Sequence, residues 1–332
     1  MVDSVGSREV AEDSGLRRRW WYTGHVRPPR SLLAAIGVTG LILLLAGPAV
    51  LGQAYRSGVD LVVVAATVHD KDGRLVPGLT QNDFHVFEDG AEQRVVQFNA
   101  ERVPVSLGLA VDVSDSMIGI RIASARKAID RFVLSLLDEG DEAFLMVFNH
   151  APRVLTPWTR PRSLAGRLDR VTPSGGTAIF DAVVKAAGMF ETRRFQRCGL
   201  VVISDGNDTG SDASLQDTLR RVNQTDAFLY AIALDAPGGA AINRPFSPEA
   251  LNDLAGQTGG YTEVIHDPSE LTAAAERIAG ELNHQYTLAY APPRAPDGQY
   301  HGIRVKTNDP GLTVRSRRGY THVKAKPGGP EK

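Results

Sequence analysis

The sequence predicts an α/β protein: a doubly wound, mostly parallel Rossmann-like sheet flanked by a small β-sandwich. Largely apolar runs without polar alternation are typical of strands buried on both faces, and they lie at residues 105–111, 143–148, 200–204 and 227–234. Segments with apolar residues three and four positions apart lie between these runs, which indicates helices that cover the sheet through right-handed crossovers. Short strands with tight turns precede and follow this alternation, so we expect them to form separate sheets.

The N-terminal residues indicate a membrane segment behind a cytoplasmic tail. Residues 1–30 are polar and rich in arginine, and residues 31–52 form an uncharged run of about 20 residues, long enough to cross a bilayer as a helix. Because positive residues stay inside, a single-pass inner-membrane protein is expected, with its bulk outside the cytoplasm in the cell envelope. Alternatively the run is a signal segment cleaved at Gly52 to Ala54, which would leave a secreted or periplasmic protein.

A first β-rich stretch is predicted at residues 59–101. It contains short apolar strands separated by turn signals at residues 70–73 (Asp-Lys-Asp-Gly) and 89–90 (Asp-Gly). The first of these turns also invites a calcium-loop interpretation, but the remaining ligands of such a loop are missing, which favours a plain turn.

The α/β domain is predicted at residues 103–283. Helices are expected at 118–137, 178–190, 215–222, 248–256 and 271–282, with a short edge strand at 154–159 and a last strand at 261–265. From residue 284 to 323 the pattern returns to strands and turns, and we expect these strands to pair with those of residues 59–101. Residues 324–332 are expected to be a disordered tail.

The composition limits the function classes. The chain has 332 residues, a formal net charge of -1 and one cysteine. A near-neutral chain without a basic stripe is not expected to bind nucleic acid. The lone cysteine, Cys198, offers no intrachain disulfide and stands at the head of a buried strand, where a packed thiol is expected.

Polar side chains follow two of the buried strands. Asp112, Ser114 and Ser116 come at the end of the first strand, and alternate residues share a side, so one carboxylate and two hydroxyls converge. Asp205 follows the strand at 200–204, and Thr177 stands after a Gly-Gly turn where a helix begins. Because ligands of open α/β sheets bind beyond the carboxyl ends of the strands, these residues predict a binding site.

This set resembles the metal-ion-dependent adhesion site of von Willebrand factor type A domains. The resemblance rests on Asp-x-Ser-x-Ser, a Thr in Gly-Gly-Thr and Ser-Asp-Gly after an apolar strand. It implies that Asp112, Ser114, Ser116, Thr177 and Asp205 hold one divalent ion, Mg2+ first, with Mn2+ or Ca2+ as alternatives. In that family the ion typically takes an Asp or Glu side chain of a partner protein. One departure is Asp115, where the family often has glycine.

A second resemblance concerns the flanks of the domain. Asp-Phe-x-Val-x-Glu-Asp-Gly at residues 83–90, Tyr-x-Leu-x-Tyr at 286–290 and Arg-Gly-Tyr at 318–320 look like an exported bacterial family related to von Willebrand A domains. The resemblance covers residues 59 to about 323. It implies the architecture and is nearly silent about biological role.

The donor types agree with the ion that the resemblance implies, because Mg2+ prefers about six hard oxygen ligands and keeps waters where the protein leaves positions open. Taken singly, the same residues have simpler explanations: Ser116 and Thr177 as helix caps, and Asp205 with its following glycine as an ordinary turn.

Three functions remain open at this stage. A binding module would use the ion to grip a carboxylate of a protein partner and would not be an enzyme. A metal-dependent hydrolase or phosphatase would need a base, for which Asp115, Asp208 or His150 are the candidates. A structural envelope protein would work through its β-sandwich. The intact set of site residues favours the binding module.

Overall fold

The computed structural model describes residues 61–205, 208–235 and 248–322. The predicted cytoplasmic tail (1–30), membrane or signal segment (31–52) and C-terminal tail (324–332) lie outside these ranges. Within them, every helix is too short or too polar to cross a bilayer.

The described residues form fourteen strands and five α-helices. The strands are β1 (Val62–His69), β2 (Phe84–Glu88), β3 (Ala91–Gln93), β4 (Val95–Asn99), β5 (Ser106–Asp112), β6 (Glu142–Phe148), β7 (Pro152–Thr159), β8 (Cys198–Ser204), β9 (Phe228–Leu234), β10 (Thr262–Ile265), β11 (Tyr286–Tyr290), β12 (Tyr300–Thr307), β13 (Thr313–Ser316) and β14 (Gly319–Thr321). The helices are α1 (Ile120–Arg131), α2 (Ile179–Met189), α3 (Leu215–Val222), α4 (Glu249–Thr258) and α5 (Leu271–Asn283).

The central sheet has the strand order β10-β9-β8-β5-β6-β7. All neighbours are parallel except β7, which runs antiparallel to β6 at the edge. The mainly parallel α/β fold predicted from the apolar runs is confirmed. Every residue of β5, β8 and β9 is buried, as expected for strands covered by helices on both faces.

Each face of the sheet packs on its own helices. Leu109 of β5 belongs to a core that includes Ile129 of α1 and Ile278 of α5. The next residue, Ala110, faces the opposite core, which includes Val183 of α2. This alternation follows from the two-residue period of a strand, and it fixes the direction in which the chain leaves the end of β5.

The predicted helix at 118–137 is shorter than expected. Helix α1 ends at Arg131, and residues Phe132–Leu136 form a π-helical turn, closed by a bond of 3.2 Å from the N–H of Leu137 to the carbonyl of Phe132. Phe132 and Val133, in the widened turn, both face the core, where they are 1% and 0% exposed. The α-helical prediction is therefore wrong for residues 132–136, although the burial of their apolar side chains was expected.

Two four-stranded sheets flank the α/β domain, with the orders β13-β1-β11-β4 and β14-β12-β2-β3. Strand β11 is antiparallel to both β1 and β4, and β12 is antiparallel to β2, so strands from before and after the domain pair as expected. One apolar cluster joins the two sheets and includes Val64, Val86, Leu288 and Val305. The turn between β2 and β3 has positive φ at Asp89 (49°) and Gly90 (86°), as a tight two-residue hairpin requires.

Candidate metal centre

Asp112 ends β5 with its side chain fully buried. Its Oδ1 accepts a bond of 2.8 Å from the backbone N–H of Ser114, and its Oδ2 accepts one of 2.7 Å from the Ser204 hydroxyl. After Ser114 the chain turns through a short 3-10 segment, Asp115–Met117, which brings the hydroxyl of Ser116 within 2.9 Å of that of Ser114. The first predicted segment therefore forms one polar cluster at the carboxyl end of the strand.

The Gly-Gly loop lies directly against this cluster. Ser174 donates its N–H to the carbonyl of Val113 (2.8 Å), and Asp115 donates its own to the carbonyl of Gly175 (2.9 Å). Gly175 has a positive φ of 79°, which favours glycine. These bonds hold the loop beside the end of β5, and they carry Thr177, which is 4% exposed, to the same edge of the sheet.

The predicted helix caps are supplied by other residues. The N-cap of α2 is Ala178, not Thr177, and Asp208 caps this helix from a distant loop by accepting the N–H of Ile179 (2.7 Å). The N-cap of α1 is Gly119, so Ser116 does not cap that helix. The simpler explanations for Ser116 and Thr177 therefore do not apply.

The hydrolase alternative loses one of its candidate bases. Besides capping α2, the Oδ1 of Asp208 accepts a hydrogen bond of 2.6 Å from the Ser211 hydroxyl. This carboxylate therefore has a structural role. His150 is exposed at the surface, and its Nδ1 would lie 3.2 Å from a Cβ added at Gly175. Asp115 is also exposed, so its charge lies at the solvent edge of the cluster.

Asp205 follows β8, the strand next to β5, and is 8% exposed. Burial of Asp112, and second to it the charge of Asp205, raise the pKa of Asp112 to about 7. The hydrogen bonds from Ser204 and Ser114 oppose this rise but do not cancel it. Two buried carboxylates at one point repel each other, and a cation between them would relieve both the repulsion and the cost of burial.

Arg121 is a site residue that the sequence reasoning missed. It is 9% exposed and donates its Nη1 to the carbonyl of Ser116 (2.8 Å), while the same nitrogen lies 3.5 Å from Oδ2 of Asp205. A signal was present in the sequence, because an arginine in the first turn of a helix opposes the helix dipole and calls for an acidic partner. Arg121 partly balances the charge of Asp205.

The donor chemistry of this cluster fits a divalent cation. Asp112 and Asp205 offer carboxylate oxygens, and Ser114, Ser116 and Thr177 offer hydroxyls, which are hard ligands of the kind that Mg2+ and Ca2+ take. Soft sulfur ligands are not among them. An ion here would replace Arg121 as the positive partner of Asp205.

A second group of potential ligands lies in the flanking sheets. Glu88, Asp89 and His301 bring ligand atoms within 4.8 Å of one another. These groups already have protein partners: the Tyr290 hydroxyl donates to Glu88 (2.6 Å), and Nδ1 of His301 lies 2.8 Å from Asp89. The hydrogen bond to Asp89 is the largest of the causes that raise the pKa of His301.

Residues 107–207 match the von Willebrand factor type A domain family. No match was found among curated proteins.

Solved structures similar to parts of the chain come from several bacteria. BatB of Bacteroides thetaiotaomicron is 19% identical with a TM-score of 0.45, over 53% of this chain and 98% of that one. A von Willebrand factor type A protein of Catenulispora acidiphila is 13% identical with a TM-score of 0.47, over 82% and 76%. The corresponding domain of the type V pili tip protein Mfa5 of Porphyromonas gingivalis is 15% identical with a TM-score of 0.45, over 55% and 96%.

Proposed function

Because this chain belongs, through residues 107–207, to the von Willebrand factor type A domain family, we propose that it is a binding module that works through a divalent cation. The ion, Mg2+ before Mn2+ or Ca2+, is held at the carboxyl edge of the central sheet. A partner protein offers the carboxylate of an Asp or Glu side chain to it.

The buried carboxylates Asp112 and Asp205 carry this proposal. The pKa of Asp112 is raised to about 7 because burial and a second negative charge disfavour its ionised form. A folded protein accepts such an arrangement at a cost, and clusters of this kind are typical of functional sites. The two serines after Asp112 point their hydroxyls to the same place, 2.9 Å apart.

Each residue of the set has a distinct role in the proposal. Asp112 and Asp205 supply the charge, and Ser114, Ser116 and Thr177 supply neutral oxygens, directly or through water. A bound ion with this neutral-rich shell supplies a positive position for an outside carboxylate. Asp115 lies at the exposed rim, so we expect Asp115→Asn to change the Mg2+ affinity by less than about threefold.

The partner would be chosen by the loops at the same edge. Residues 208–211 lie in contact with the Gly-Gly loop, since the N–H of Thr177 donates to the hydroxyl of Thr209 (2.8 Å). We expect residues 207 and 236–245 to take part as well, and these lie outside the described ranges. Binding loops placed on a rigid sheet are the usual site of specificity.

We further propose that the protein works in the cell envelope, anchored through residues 31–52 or released if that segment is cleaved. The support is the uncharged run of about 20 residues behind arginines. The α/β domain would then face partners outside the cytoplasm.

Thermal unfolding of the full chain in excess EDTA and then in millimolar Mg2+ or Mn2+ tests whether the chain binds a divalent ion. A ligand at 100 times its dissociation constant adds about 2.7 kcal/mol to the free energy of unfolding, which raises the midpoint by a few degrees. We expect this shift in the wild type and its loss in Asp112→Ala. Asp169→Ala, which changes an exposed aspartate, serves as the matched control and should keep the shift.

Capture of envelope proteins on the immobilised full chain tests the partner. Binding in Mg2+ that is lost in EDTA and in Asp112→Ala, with the fold verified by circular dichroism, is the expected result. A folded Asp112→Ala variant that still captures the same partner would refute the mechanism.

A further inference from the structure

A cavity of about 430 Å³ lies where the α/β domain meets the flanking sheets. Its lining includes Cys198 and Phe228, the first residues of β8 and β9, together with residues of β1, β4 and β11. Strand β8 has seven residues, so the cavity lies about 20 Å from the carboxyl edge that holds Asp112. It is therefore separate from the candidate metal centre.

Much of the cavity wall is apolar. In β1, Val62 and Val64 face the core shared by the flanking sheets, whereas Val63 and Ala65 point to the other face and line the cavity. Ala289 of β11, which pairs with Val63, lines the same face, and Phe228 adds aromatic surface. The volume lies within the range of about 300 to 1,000 Å³ in which proteins bind small molecules.

Arg197 brings an unpaired charge to this wall. It is 5% exposed, and its Nη2 donates to the carbonyls of Gln285 (2.8 Å) and Glu101 (3.3 Å). Its Nε and Nη1 are buried and have no hydrogen-bond partner within the described ranges. Burial lowers the pKa of this guanidinium, and the nearby charge of Arg102 adds to the effect.

Asp141, the acidic residue whose charge acts on Arg197, has other hydrogen-bond partners. Asp141 raises the pKa of Arg197 through its charge, but its oxygens already accept from Arg102 (2.7 Å) and from the backbone N–H groups of Val105 (2.9 Å) and Asp138 (2.8 Å). A buried guanidinium with unpaired N–H groups is costly unless an anion or water meets it.

A second guanidinium lines the same cavity. Arg317 is 9% exposed, donates to Asp226 (2.6 Å) and to the carbonyl of Val63 (2.6 Å), and leaves its buried Nε without a partner in the part of the chain that the structure describes. Asp226 also pairs with Arg193 at 2.7 Å. Among the described residues, Asp226 is the one carboxylate that lines the cavity, and since two arginines share it, it does not neutralise Arg197 as well.

We propose that this cavity binds a small amphipathic carboxylate, with its head at the guanidinium groups of Arg197 and Arg317 and its apolar body against Val63, Ala65 and Ala289. A monoanion would supply the carboxylate partner that Arg197 lacks among the described residues. Guanidinium groups match a planar carboxylate, and the apolar wall favours a hydrocarbon body over inorganic phosphate. The Cys198 thiol takes no ionic part, because burial raises its pKa to about 12.

Isothermal titration calorimetry of the full chain with octanoate tests the proposal, with octanamide as the uncharged analogue. We expect octanoate to bind, and octanamide and the variant Arg197→Gln each to weaken binding by about 10- to 100-fold, the range that a charge-assisted hydrogen bond gives. Arg194→Gln is the matched control, since Arg194 is exposed, and it should bind octanoate as the wild type does.

If Arg197→Gln does not fold, a second variant tests the same cavity. Ala65→Leu fills the apolar part of the cavity and should weaken octanoate binding while the thermal unfolding midpoint without ligand stays near that of the wild type. Equal affinity of octanoate and octanamide, no binding at millimolar octanoate, or phosphate binding as tight as that of octanoate would each overturn the proposal.

Discussion

Asp112 allows a test of the candidate centre that needs no partner protein. Burial, and then the charge of Asp205, raise its pKa from the usual value of 3.8 to about 7. Between these values the folded chain holds a proton that the unfolded chain has released, so in EDTA the free energy of unfolding falls as the pH rises through this window. The contribution of this proton to the free energy of unfolding is complete below pH 3.8 and is lost above about pH 7. At about 1.4 kcal/mol per pH unit, the whole loss is about 4 kcal/mol.

The variant Asp112→Asn removes this titration with little change in volume. Urea unfolding in EDTA at pH 5 and pH 8 should show the wild type losing roughly 2 to 3 kcal/mol more than the variant does, because other groups titrate equally in both chains. Asp169→Asn, at an exposed position, should behave as the wild type.

The stabilisation that Mg2+ gives should depend on pH in the opposite direction. Since binding requires the ionised carboxylate, the ion competes with the proton, and the gain in stability from Mg2+ should grow from pH 5 to pH 8. Identical pH dependence of the wild type and Asp112→Asn in EDTA would refute the buried carboxylate pair. A gain from Mg2+ that is the same at both pH values would refute the coupling of ion and proton at Asp112.

Three further predictions concern other parts of the molecule. Arg121→Gln removes the cation that shares the site, so we expect Mg2+ to bind about tenfold more tightly in calorimetry while stability in EDTA falls; unchanged affinity would contradict this. The hydrogen bond to Asp89 raises the pKa of His301, so stabilisation by this pair is full below pH 6.5 and fades as the pH rises through the raised value. Thermal unfolding should therefore show a loss of stability in His301→Gln, relative to the wild type, that is larger at pH 5.5 than at pH 9; an equal loss at both pH values would contradict this. Gly108→Ala places a Cβ 2.4 Å from an aromatic carbon, and urea unfolding should show a loss of about 1 to 3 kcal/mol that Gly140→Ala, with open space, does not.

The buried strands were the most predictable part of the fold. Strand β9 was expected at 227–234 and lies at Phe228–Leu234, because a strand covered on both faces needs a continuous apolar run. The pairing across the flanks was also predictable, since strands without helical crossovers pair antiparallel and the α/β sheet has no place for them. Edge strand β7 is longer than expected, because Pro152 and Arg153 show no apolar pattern at a half-exposed edge.

The sequence allowed prediction of the strand-end residues of the candidate site but not of the long-range contacts around them. Asp112 and Asp205 could be found because they end apolar strands. The role of Asp208 and the identity of the acidic partner of Arg121 could not be read from local sequence, since both depend on contacts between segments far apart in the chain. The π-helical turn after α1 was missed because the apolar spacing of three and four residues continues through Leu136 and does not distinguish a π-turn from an α-helix.

The position of β11 has a consequence for how the chain reaches its native state. This strand fills the gap between β1 and β4, and it pairs Val62 with Tyr290, about 230 residues later in the chain. Closing so long a loop is slow. During synthesis β1 and β4 are made before β11, so their edges stay unpaired and can aggregate. The α/β domain, which has its own cores, shortens that loop when it folds first, so it acts as an internal scaffold for the sheets around it. A chain interrupted before residue 286 would therefore expose apolar strand edges even if its α/β domain had folded completely.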